Sequence, residues 1–242
     1  MSGRIASKKT TVDIPLPSLG LQPIDSVNRV APDWLLLHGV SPDALLETLS
    51  PFGVPFGYPE ERDGAIVHDL RPAPGLEETQ SSLGRAAFLP HTDAAFLPEE
   101  KRPRRLALLG INNDAQAATL LYRLDDVVSQ LPEATLLTLS QPHFEQIPPF
   151  TFQAKLGADP LPGHRILSRD SDGRWQVAYS AQGTKGGSAP EALKEFEAAL
   201  AQTPPLRFVL GPGDLLIFDN LRYLHGREEI VGSRHLQRVY LR

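Results

Sequence analysis

Within the segment FLPHTDAAF, His91 and Asp93 place an imidazole and a carboxylate two positions apart. In a β-strand, residues i and i+2 point to the same face. A His-x-Asp pair at a strand end can therefore offer two side chains to one metal ion. Two ligands are too few for a tight site. The third candidate is His225, in GPGDLLIFDNLRYLHGREE, where a tight turn feeds a strand and the histidine follows at its far end. Two histidines and one carboxylate form the set that leaves open positions on iron(II) for a co-substrate and oxygen. Manganese or cobalt can take the same ligands. Zinc is the chief rival, although the HExxH helix common among its hydrolases is absent. The other histidines, His38, His68, His143, His164 and His235, read as surface or satisfied core residues.

Two arginines follow in RHLQRVYLR. Arg234 and Arg238 are four positions apart, so in a strand both project to one face. A guanidinium presents a planar fork that matches a carboxylate with two hydrogen bonds. Two surface arginines are the plainer alternative. Their place just after His225 favours an anion site.

The elements that must hold these residues are mostly short. The sequence contains 23 prolines and 19 glycines among 242 residues, which punctuate it into brief segments. Residues 41–49, with Ser41 as N-cap and Pro42 in the first turn, read as a short helix. Residues 64–70, 118–124, 164–169 and 174–180 read as strands. Residues 104–111 fit a strand or a buried helix. DDVVSQLP and EATLLTLS read as short helices, and residues 190–202 as an amphipathic one with Leu193, Phe196 and Leu200 on its apolar stripe. Residues 181–190 form a flexible loop, and LRFVL, LLIFDN and RHLQRVYL supply later strands. The pattern predicts one α+β domain over residues 1–242, with residues 1–12 flexible and a β-sandwich or barrel core.

Net charge is −5 and there is no cysteine. Disulfides, thiolate zinc sites and cysteine nucleophiles are excluded. No long basic block suggests nucleic acid, and no apolar run approaches the ~18 residues of a membrane span. No apolar leader is visible, and a cytoplasmic location is expected.

Taken together, HTD, GDLLIFDN, LHGR and RHLQR resemble the iron(II)/2-oxoglutarate dioxygenases of the taurine dioxygenase and clavaminate synthase-like superfamily. The middle segment, RPRRLALLGINNDAQAATLLYRLDDVVSQLP followed by LSQPHFEQIPPFTF, is similar to the branch that oxygenates arginine, asparagine and lysine. The likeness runs from about residue 35 to the end of the sequence. It implies a double-stranded β-helix, or jelly roll, with flanking helices. His91, Asp93 and His225 would hold iron(II). Arg234, with Thr119 beside it, would bind the distal carboxylate of 2-oxoglutarate, and Arg238 would grip the carboxylate of a small substrate. Oxygen is the second co-substrate, and the expected outcome is hydroxylation of an unactivated C–H bond. Asp93 disfavours halogenation, because related halogenases lack that carboxylate.

The resemblance also bears on the substrate. Arginine-hydroxylating members carry acidic residues in the strand before the lid loop, a place that falls near Ala178 and Ser180 here. Neither balances a buried cation. A neutral amino acid or related acid is expected, with QGTKGG as a candidate lid. The rival readings are a metal-binding jelly-roll module that holds a small acid without turnover, and a non-oxidative metalloenzyme.

Overall fold

Alternation of side chains in the apolar segments builds a layered structure. The computed structural model describes residues 33–242, so the expectation for residues 1–12 lies outside them. Six strands form the larger sheet: β1 (Trp34–Leu37), β2 (Pro55–Phe56), β3 (Val67–Leu70), β5 (Arg105–Asn112), β13 (Leu215–Asp219) and β15 (His235–Leu241). They lie in the order β1-β13-β5-β15-β2, with β3 also paired to β15. Four strands form a smaller sheet: β4 (Phe88–His91), β6 (Thr119–Arg123), β12 (Leu206–Phe208) and β14 (Tyr223–Arg227), in the order β12-β6-β14-β4. All these pairings are antiparallel. A third sheet joins β7 (Phe144–Gln146), β8 (Leu161–His164) and β11 (Thr184–Lys185), and β9 (Leu167–Arg169) pairs with β10 (Trp175–Val177) around the turn DSDG, residues 170–173.

Side chains of a strand alternate between faces, and three cores follow from that. Leu106, Leu108, Leu216, Phe218, Leu236 and Tyr240 of the larger sheet pack with Leu121 and Tyr223 of the smaller one. The intervening residues Ala107, Leu109, Leu215, Ile217 and Val239 turn the other way, onto Leu45 and Leu49 of α1 (Leu45–Leu49). Leu224, on the outer face of the smaller sheet, joins a core supplied by α2 (Leu124–Val128), α3 (Glu133–Leu139) and α5 (Pro190–Gln202). Each fully buried leucine contributes roughly 1.5–3 kcal/mol. Between the sheets, the same parity places His225 and Arg227 with Tyr223, Thr119 with Leu121, and Arg238 with Leu236 and Tyr240.

Several boundaries differ from those expected. Of the two readings for residues 104–111, strand is the one realised, as Arg105–Asn112, with strands paired on both sides. Only Val67–Leu70 of residues 64–70 is strand, because Arg62–Gly64 forms a 3-10 turn with Asp63 at φ 54°. The loop 181–190 contains β11, paired to β7. The helix α4 (Phe150–Leu156) was not expected, and it follows directly on Pro149. His225 does not end the strand of LLIFDN. A turn at residues 220–222 separates that strand from β14, which carries the histidine at its centre.

Candidate active site

Strand pairing brings the two histidines together. His91 and His225 are direct partners across β4 and β14, and their ring centroids lie 4.1 Å apart. Gly226 makes the approach possible, since a Cβ there would meet the Phe88 carbonyl oxygen at 2.7 Å. The register shifts at this point, between His225 and Arg227.

Asp93 is placed differently from the expectation of a shared strand face. β4 ends at His91, and Asp93 lies in the turn beyond it. Ala94 adopts a left-handed backbone, φ 59°, a conformation that non-glycine residues rarely take. The buried Asn220 side chain holds the turn in place. Its Oδ1 accepts from Asp93 N at 2.9 Å, and its Nδ2 donates to Asp93 O and to Pro103 O, both at 3.1 Å. Thr92 is fixed by a backbone bond to Tyr179 O at 2.8 Å.

His91, Asp93 and His225 are all buried, and one ligand atom from each lies within 4.8 Å of the others. Asp93 Oδ1 stands 3.4 Å from His91 Nε2 and 3.9 Å from His225 Nε2. His91 Nδ1 lies 2.9 Å from Leu89 O. A carbonyl only accepts, so Nδ1 carries the proton and Nε2 presents its lone pair. Burial, and then the neighbouring His91, depress the His225 pKa to about 3, so this imidazole is neutral at pH 7. Burial alone would raise the Asp93 pKa. The Arg238 guanidinium and the two histidines together outweigh it and hold the carboxyl well below its ordinary range.

Arg238 is the hub of a buried network. Its Nη1 donates to Asp93 Oδ2 at 2.9 Å, and its Nη2 to Glu61 Oε1 at 3.0 Å and His68 Nδ1 at 2.8 Å. Tyr240 Oη donates to the second Glu61 oxygen at 3.0 Å. His68 is therefore a satisfied core histidine, its Nε2 donating to Ala65 O at 2.8 Å. Burial opposes the Arg238 charge, but Asp93, Tyr240 and Glu61 hold its pKa above the ordinary value. Arg238, expected to grip a substrate carboxylate, is held by the chain's own groups. Both terminal nitrogens are engaged, and only Nε is buried without a partner. Two carboxylates drawn into the interior require the cation.

Arg234 stands in contrast. It precedes β15, beside a bulge at His235 and Leu236. Its Nη2 donates to Thr119 Oγ1 at 2.9 Å, its Nε is buried without a partner, and among the described residues no carboxylate pairs with it. Burial, followed by repulsion from Arg227, lowers its pKa to about 9. Arg234 and Thr119 are thus direct partners.

A cavity of about 590 Å³ opens over His91 and Asp93, with Glu61, Arg238, Phe96 and Phe152 in its walls. Gln182 and Gly183 of the candidate lid line it too, and Gln182 Nε2 donates to Gln80 O at 2.5 Å across the opening. Nothing local in the sequence points to Glu61 or to the hold of Asn220 on Asp93. Asn220 sits inside the quoted GDLLIFDN, but its partners are far away along the chain.

The profile of the family described as "Taurine catabolism dioxygenase TauD, TfdA family" matches residues 33–240. The chain is 32% identical over 235 residues to an L-asparagine oxygenase of Streptomyces coelicolor, a match covering 94% of this chain and 68% of the relative. It is 27% identical over 237 residues to an enduracididine beta-hydroxylase of Streptomyces hygroscopicus, covering 87% of this chain and 67% of the relative. A solved asparagine oxygenase in complex with Fe(II), 2S,3S-3-hydroxyasparagine and succinate superposes with a TM-score of 0.76 at 27% identity, covering 86% of this chain and 74% of that one.

Proposed function

The chain belongs to the TauD/TfdA family of dioxygenases, and from that premise we propose that His91, Asp93 and His225 hold an iron(II) ion with which a small amino-acid substrate is hydroxylated. The protein is an iron(II)/2-oxoglutarate-dependent oxygenase that also consumes O2. Iron and 2-oxoglutarate, when bound, supply the oxidising power that breaks an unactivated C–H bond. The donor set suits the ion: two imidazole nitrogens and one carboxylate oxygen, which leave positions open for co-substrates.

The chain's own residues position and protect. Leu89 O fixes the His91 ring, and Asn220 fixes the Asp93 backbone. Asp93 divides its oxygens: Oδ1 faces the two histidines, while Oδ2 is held by Arg238. Arg234 and Thr119 take the distal carboxylate of 2-oxoglutarate. The observation that carries this assignment is a buried guanidinium with no carboxylate beside it among the described residues. Arg238 keeps a second role at the cavity wall, where its charge draws the substrate carboxylate while it holds Asp93. The apolar lining excludes water from the reacting bond.

The same reading treats residues 1–242 as one domain. Its two facing antiparallel sheets are the halves of a double-stranded β-helix. The substrate is a small molecule met in the cytoplasm, with no nucleic acid or membrane engaged. No helix among the described residues is long and apolar enough to cross a membrane.

The test is succinate release from 2-oxoglutarate under O2 with Fe(II), screened across the amino acids. Turnover should require iron and vanish in His91→Ala and His225→Ala. Turnover that persists in both variants would remove the ligand assignment.

A further inference from the structure

Gln146, at the end of β7, lines the cavity and is fully buried, yet its Oε1 has no hydrogen-bond partner. The amide cannot simply turn over. Its Nε2 donates to Thr184 Oγ1 at 2.9 Å and to Ala178 O at 3.3 Å. A backbone carbonyl only accepts, so a flipped amide would set two acceptors against each other. Ser180 stands nearby and also lines the cavity. Its Oγ accepts from Gly183 N at 3.3 Å, and its own proton has no acceptor among the described residues.

Gly183 keeps both atoms open. A Cβ at this position would stand 3.5 Å from Ser180 Oγ and 3.6 Å from Gln146 Oε1, and would collide with Ile147 O at 2.8 Å. Ser180 also forms a backbone bridge with His91. An acceptor and a donor therefore share one patch of wall beside a proposed iron ligand.

A buried acceptor without a donor is destabilising, and a ligand donor would remove that cost. The charged residues of the cavity wall are Glu61, Asp93 and Arg238, which are knit to one another. A cationic side chain at Gln146 would find no carboxylate among that patch's groups. A carboxylate would face the lone pairs of Oε1. A primary carboxamide suits both atoms: its N–H donates to Gln146 Oε1 and its carbonyl accepts from Ser180 Oγ. We propose that Gln146 and Ser180 read a primary carboxamide in the substrate's side chain, selecting a carboxamide amino acid over acidic and basic ones. This rests on the amino-acid hydroxylase function above and names its substrate class.

The experiment is calorimetric binding to anaerobic protein loaded with Fe(II) and 2-oxoglutarate. The probes are asparagine and glutamine, their side-chain N,N-dimethylamides, aspartate, glutamate, lysine and arginine. One primary carboxamide should bind at least about tenfold tighter than both its dimethylamide and its acid, as expected from one lost hydrogen bond to a buried group. Gln146→Met and Ser180→Ala should each shrink that ratio while 2-oxoglutarate affinity holds. Ser180→Ala, at a half-buried site, serves if Gln146→Met does not fold. Equal binding of amide and dimethylamide, or a ratio unchanged in a folded variant, would overturn the proposal. Admitting O2 separates the two claims. Carboxamide preference without succinate would defeat the hydroxylase reading and leave the recognition patch standing. Succinate release driven best by lysine or arginine would do the reverse.

Discussion

Arg238 and Arg234 are both buried, only four positions apart, and the chain treats their charges in opposite ways. Arg238 is met by two carboxylates, an imidazole nitrogen and the face of Tyr240, whose ring centroid lies 4.4 Å from the guanidinium carbon. Arg234 has one hydroxyl and the repulsion of Arg227. An isolated buried charge is expensive unless something compensates it. Arg238 is compensated within the fold and belongs to its stability. Arg234 meets no carboxylate among the described residues, as its proposed part in binding requires. Similar residues in similar burial thus separate by what they lack.

That contrast can be broken in four ways, from the largest expected effect to the smallest. Arg238→Met would leave Glu61 and Asp93 buried without their cation. It should cost ~3–5 kcal/mol of stability in urea unfolding of the metal-free protein, and a loss below ~1 kcal/mol would mean the network contributes little. Arg234→Met should leave that same stability unchanged or higher, because it removes an unmatched charge. Its affinity for 2-oxoglutarate should fall by ~2–5 kcal/mol in equilibrium binding. Destabilisation equal to that of Arg238→Met would erase the distinction. Asn220→Ala frees the Asp93 turn, and iron(II) affinity in a metal titration should drop ~10–100-fold. Thr119→Val removes one hydrogen bond and should cost ~0.5–1.5 kcal/mol. It should appear as a modest rise in the KM for 2-oxoglutarate with iron affinity intact. A change in iron affinity would place Thr119 in the wrong half of the site.

Local signals were legible in the sequence and distant ones were not. The α5 boundaries, Pro190 and Gln202, follow from a proline in the first turn and a continuous apolar stripe. The hairpin of β9 and β10 follows from its turn residues. The three proposed ligands could be chosen by type and order, and the structure brings them together. Alternation predicts Asp93 on the His91 face of a strand, but β4 ends at His91 and Ala94 bends the chain. α4 was missed because PPFTF shows no helical stripe to set against its prolines and aromatics. Glu61 was invisible because nothing near it hints at Arg238, which it meets only through the pairing of β3 with β15 and the turn before it.

The position of β15 has a consequence for how the protein comes to life. It is the last strand described, yet it lies inside the larger sheet, between β5 and β2, rather than at an edge. β14, just before it, likewise sits between β6 and β4. Both sheets therefore keep a gap until late segments of the chain slot between strands made much earlier. Such non-local closure is slow, on the order of milliseconds to seconds in small β proteins. The oxidising centre is thereby timed as well as placed. After dilution from urea, iron binding should return only in the slowest refolding phase, so partly folded chains would not carry a metal able to damage them.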